Sequence, residues 1–108
     1  MKIILRPAVS TDHAFVYATY IRGKWFDRDN KTTLKRSTWS ALQHQRLEMV
    51  LTGSQAIPVT VACLDEDPDT ILGYGFQDGE EYYTYVKLAF RSPGLNVKER
   101  LLEAAKHE

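Results

Sequence analysis

Cysteine is almost absent. Cys63 is the single one in 108 residues, so an internal disulfide and a cysteine-based zinc site are both excluded. It lies in the apolar run 59–64, Val-Thr-Val-Ala-Cys-Leu, followed by acids rather than the histidine or cation that would activate a thiolate. A buried structural thiol is therefore expected. Glycine and proline are few, at 6 and 4, which excludes a collagen-like or proline-rich fibrous chain. Long apolar runs are missing, and none approaches the roughly 18 residues that span a membrane. The apolar start is too short for a secretory signal and is closed by Arg6 and Pro7, so a cytoplasmic location is expected. His13, His44 and His107 are widely separated and form no His-x-x-x-His pair, so no metal site is expected. Gly-x-Ser-x-Gly and Walker patterns are absent, which sets aside serine-hydrolase and P-loop readings. The acidic turn at 65–69 lacks EF-hand spacing.

What remains has the balance of a globular chain, with 44% hydrophobic and 26% charged residues. The length fits a single domain, 1–108, large enough for a core. Net charge is zero but unevenly spread. Residues 1–54 hold nine Lys/Arg against four acids, a balance of +5; residues 55–108 hold five against ten, a balance of −5. Such a dipole bears on partners rather than on the fold.

The pattern predicts a strand at 2–6, closed by Pro7. A helix follows from about 11 to 22, opened by Ser10-Thr11-Asp12 and ended by Gly23. Residues 23–33 read as a charged loop carrying Trp25 and Phe26. Thr33 is expected to cap a second helix over 34–52, stopped by Gly53. Strands are predicted at 57–64, 70–76 and 81–89, with turns at 65–69 and 78–79. The last helix is predicted over 96–106, after the turn Arg91-Ser92-Pro93-Gly94. The order β-α-α-β-β-β-α implies an α+β fold, with an antiparallel meander and helices on its faces. On the last strand, Tyr83 and Tyr85 share one face, and Tyr82 and Thr84 the other.

Three segments carry a resemblance to a known family. Leu5-Arg6-Pro7-Ala8 with Asp12, Ile71-Leu72-Gly73-Tyr74-Gly75, and 85–94 (Tyr-Val-Lys-Leu-Ala-Phe-Arg-Ser-Pro-Gly) are similar to the first, third and fourth strands of the GNAT acetyltransferase superfamily. The last segment holds an Arg-x-x-Gly acyl-CoA loop, and Leu101-Leu102 resembles the paired leucines of the following helix. The resemblance implies acetyl-CoA as cofactor, held by Val86, Leu88, Arg91, Ser92, Gly94, Leu95, Asn96 and Val97. Backbone N–H groups at a helix start would cradle its pyrophosphate, and Gly94 would permit close approach. The strand near Val86 and Leu88 would pair with the pantetheine arm. This sequence departs from the pattern in four ways, the first being that the paired leucines fall about two residues later than usual. Asn96 stands where Gly or Ala is usual, and is also readable as an N-cap. Pro93 removes one N–H donor. The usual C-terminal strand-helix-strand part is lacking, and with it the tyrosine that often protonates the leaving thiolate. That leaves the fourth strand as an open edge, which a homodimer or another protein would cover.

Glu81, at the start of the fourth strand, is the candidate general base; its bland reading is a solvated turn acid. Tyr20, Trp25 and Phe26, interleaved with basic residues, form the candidate acceptor or partner surface. Asp27 and Asp29 dilute that charge, so nucleic acid is not the expected partner. Two readings follow. One is an N-acetyltransferase acting on an amine acceptor. The other is a catalytically inactive GNAT-like scaffold that binds a protein partner, of the kind found among phage effectors.

Overall fold

The computed structural model describes residues 2–27, 34–52, 56–92 and 94–106. The chain divides into two compact units. One joins Met1–Ala8 to Pro58–Glu108 and holds the sheet; the other, Val9–Ile57, is helical and is inserted between the first and second strands.

The sheet unit contains β1 (Ile3–Pro7), β2 (Val59–Leu64), β3 (Asp67–Asp78), β4 (Glu81–Val86) and one helix, α3 (Val97–Ala105). The strands lie in the order β1-β2-β3-β4, and every pair is antiparallel. Pro7 sits at the end of an edge strand, where its missing N–H breaks no ladder in the sheet interior. Between β2 and β3 the register steps from Ala62↔Gly73 to Cys63↔Ile71, which makes Leu72 the extra residue of a β-bulge. The bulge puts Leu72 into the apolar cluster that α3 covers: Ile3, Ala62, Leu72, Val86, Val97 and Leu101. Val97 and Leu101 are one helical turn apart, so both project from one face of α3. On the other face of β3 and β4, Tyr74 lies opposite Tyr85 and Phe76 opposite Tyr83, and their rings pack at 5.6 and 5.7 Å. The face assignment of Tyr83 and Tyr85 is as the alternation predicts. Cys63 is fully buried.

The helical unit contains α1 (His13–Asp27), preceded by a 3-10 turn at Ser10–Asp12, and α2 (Arg36–Thr52). Asp12 is buried, and its Oδ2 accepts the Val9 N–H at 2.8 Å. This return bond fixes the chain at the helix start. The Tyr20 hydroxyl accepts a bond from Arg46 Nη2 at 2.7 Å, which ties α1 to α2.

Several boundaries differ from the sequence expectation. Gly23 does not end α1; the helix continues for four more residues and carries Trp25 and Phe26 with it. A mid-helix glycine costs about 1 kcal/mol. Trp25 offsets this by packing on Trp39 of α2, ring centroids 5.4 Å apart, with the Arg36 guanidinium 5.9 Å from the Trp25 ring. In α2 the apolar positions do not form one buried stripe: Leu47 and Leu51 are buried, whereas Met49 is 77% exposed. The capping by Thr33 and the stop at Gly53 lie outside the described residues. β4 ends at Val86 rather than continuing to 89, because Leu88–Phe90 turns into a short 3-10 helix.

Candidate functional site

The segment expected to hold a cofactor, 86–97, connects β4 to α3. Its course is set by local bonds. Lys87 N–H donates to the Leu72 carbonyl at 2.9 Å and so ends the β3–β4 ladder. Phe90 N–H then returns to the Lys87 carbonyl at 2.8 Å and closes the 3-10 turn. Arg91 folds back: its Nε donates to the Val86 carbonyl at 2.6 Å, and its guanidinium stands 5.9 Å from the Tyr85 ring centroid. Leu95 N–H donates to the Ser92 carbonyl at 3.1 Å. Pro93, and with it the lost donor, lies outside the described residues.

Two of the expected cofactor contacts are corrected by this course. Leu88 is not on the strand, so it offers no ladder groups; its side chain is 79% exposed. Val86 does end the strand, but its carbonyl is already bonded to Arg91, and its side chain belongs to the core. Arg91 is consequently held toward β4 rather than standing free. Val97 likewise contributes its side chain to the core, leaving only its backbone for a ligand. Gly94 is exposed, with nothing within 4 Å of where a Cβ would stand. Ser92 is exposed and Leu95 is half-buried against the core.

Asn96 occupies the N-cap position of α3, but not as a side-chain cap. Its backbone is left-handed (φ 53°, ψ 38°) and its side chain makes no capping bond. An α-helix leaves its first N–H groups without intrahelical partners. At α3, no side chain of Asn96 takes them up. Positive dipole and free donors therefore coincide beside Gly94.

Glu81 stands at the opposite end of β4. It faces Asp78 across the hairpin, whose turn is made by Gly79 at φ 65°. It is five positions from Val86 along the strand, roughly 17 Å at strand rise. Glu81 is exposed, so the structure does not bring it to the 86–97 segment.

The three residues of the candidate partner surface separate. Tyr20 is only 3% exposed, which corrects its placement on an open surface. Trp25 is half-buried against Trp39, and Phe26 is 69% exposed with the Arg36 guanidinium 5.1 Å from its ring.

A feature missed in the sequence lies in the helical unit. Tyr17 packs edge-on against His44 at 4.8 Å, and the His13 ring lies 6.0 Å from it. These rings line an open groove of about 740 Å³ that also receives Arg22 and Arg36. Burial, and then the negative charge of Glu48, push the Tyr17 hydroxyl above its ordinary pKa. The i, i+4 spacing of His13 and Tyr17 was a readable signal; the approach of His44 from a second helix was not. His107 lies outside the described residues.

Among the described residues, no three His, Cys, Asp or Glu side chains gather as a metal site. None of the described helices is long and apolar enough to cross a membrane. No protein-family model matches the chain, and no curated protein matches it. Among solved structures, the chain is similar to the solution structure of apo-form YjaB from Escherichia coli, with 19% identity and a TM-score of 0.60. The match covers 97% of this chain and 65% of that one, so the chain spans less than two thirds of its neighbour's length. At this identity the likeness is one of fold: an α+β chain whose four strands form one antiparallel sheet.

Proposed function

We propose that this chain is a GNAT-like domain that binds acetyl-CoA at the β4–α3 connection and transfers the acetyl group to an amine. The observation that carries the reading is the uncapped start of α3 beside Gly94. A pyrophosphate needs converging N–H donors and room for close backbone approach. The first amides of α3 would be the donors, and the open face of Gly94 would give the room. The element order is the one that the resemblance implies. The fit is confined to the phosphate end. A pantetheine arm pairing at Val86 would have to displace the Arg91 guanidinium from the Val86 carbonyl.

That occupied carbonyl, together with the remote Glu81, favours a second reading. In it the chain keeps the scaffold, has no acyl transfer, and binds a protein partner in the manner of a phage-type effector. Phe26, largely exposed, would be an apolar contact.

Calorimetric titration with acetyl-CoA and with free CoA separates the two. The first reading expects micromolar binding by both, about −8 kcal/mol. Gly94→Trp should abolish it while leaving the far-ultraviolet spectrum unchanged, since the position is open. Unchanged affinity in Gly94→Trp would refute the assignment of the site. Absence of binding up to millimolar ligand would refute the first reading and leave the second.

A further inference from the structure

We propose that the groove of the helical unit is a binding site for a small organic anion with an apolar body, its oxyanion held at the Arg22 and Arg36 end. This site stands apart from the acyl-CoA reading and does not depend on it.

The groove is built by helical spacing. His13, Tyr17 and Ile21 recur at intervals of four residues and form one ridge of α1. Arg36 and His44 are eight apart, so they lie on one stripe of α2. Ala14 and Ala18 lie beside that α1 ridge, and their small side chains leave the groove room. The volume, about 740 Å³, is in the range that holds a small molecule.

Its chemistry is one-sided. Two guanidiniums and two imidazoles line it, and among the described residues no Asp or Glu does. Two acids lie near it: Asp12 is buried and bonded to the Val9 N–H, and Glu48, one helical turn from His44, acts on the Tyr17 hydroxyl, which places the anion end at Arg22 and Arg36. Among the described residues, neither Arg22 nor Arg36 meets a carboxylate. Arg36 is held over the Trp25 and Phe26 rings, at 5.9 and 5.1 Å, which presets its position without neutralising it. Apart from Ser10, the remaining walls are apolar or aromatic: Tyr17, Ile21 and the alanines. A cationic end joined to an aromatic-walled trough fits a ligand with a carboxylate or phosphate at one end and an apolar body behind it. The concavity favours a small molecule over a protein, whose contact surface would be flatter and larger.

The test uses the intact chain and two probes of equal shape, phenylbutyrate and its neutral amide, phenylbutyramide, followed by amide chemical shifts. Phenylbutyrate is expected to move α1 and α2 signals saturably and to bind at least about tenfold tighter than the amide. The exposed pair Arg22→Gln and Arg36→Gln, made together, should erase that preference while the strand signals stay in place. Equal binding of acid and amide would overturn the proposal, as would a preference surviving in the double variant. No saturable shift up to about 10 mM probe would do the same. Tighter binding of a polyglutamate peptide than of phenylbutyrate would overturn the small-ligand assignment.

Discussion

Replacing Gly73 by alanine drives a methyl group into the backbone of β4. At this position an added Cβ would collide with the Tyr85 carbonyl oxygen and stand 3.1 Å from the Val86 Cα. Neither atom can rotate away, because both belong to a strand paired on β3. Relief would therefore mean separating the strands at Gly73↔Val86. Overpacking of this kind costs about 1–3 kcal/mol. The lower entropy of the unfolded alanine chain returns about 0.4–1 kcal/mol. A net loss of about 1–2 kcal/mol is expected, which lowers the melting temperature by roughly 5–10 °C for a chain of this size. Urea unfolding followed by far-ultraviolet dichroism, with a shared m-value, reads the difference. Two glycines grade the result. Gly75→Ala meets only the Tyr82 ring, at 2.6 Å, and a side chain can swing aside, so its loss should be smaller. Gly94→Ala meets nothing within 4 Å and should stay within about 0.5 kcal/mol of the parent. If Gly73→Ala unfolds at the parent's midpoint, or Gly94→Ala loses as much, the close-approach argument fails.

Leu101→Ala, at a fully buried position under the sheet, should cost about 2–5 kcal/mol, and a loss below 1 kcal/mol would mean that α3 is not seated on Leu72 and Val86. Trp25→Ala and Trp39→Ala should be coupled by about 0.5–1.5 kcal/mol in a double-mutant cycle, and additivity would separate the two rings. Tyr17 has a hydroxyl pKa raised above its unfolded value, so the stability it contributes is full below that value and falls as alkaline pH rises through the folded pKa. Tyr17→Phe should flatten that alkaline decline, and an unchanged profile would refute it. Asn96→Gly should be neutral within about 0.5 kcal/mol and Asn96→Ala should cost about 1 kcal/mol, a difference that vanishes if the residue is not left-handed.

The strands were legible because alternation and turn residues act locally. Asp78-Gly79 marks its hairpin by its own φ requirement, and Pro58 stands immediately before β2. What escaped was decided at a distance. Gly23 is a sound local stop, yet Trp25 meets Trp39 across the helix pair and the helix continues. Tyr20 has the composition of a contact residue, and only the approach of Arg46 from α2 shows why its hydroxyl is satisfied when buried. His44 acquires a context only when α2 lies beside α1. In each case the missing term is a tertiary contact, which propensity does not contain.

Asn96 shows how a departure from a pattern can preserve what the pattern is for. Read as a sequence, it is an N-cap, and a capping side chain would close the donors that a phosphate needs. An N-cap works from extended backbone, with its oxygen turned back to the first-turn amides. Asn96 is left-handed instead, and its side chain makes no such bond. Asparagine is the side chain, after glycine, that best tolerates this conformation. The residue is thus selected for its φ, as glycine would be at the same place, and α3 begins with its donors uncovered. On this account Asn96 does not weigh against an anion site beside Gly94. The weight against acyl transfer rests elsewhere, on Arg91, which must release the Val86 carbonyl before a second chain can pair with β4 there.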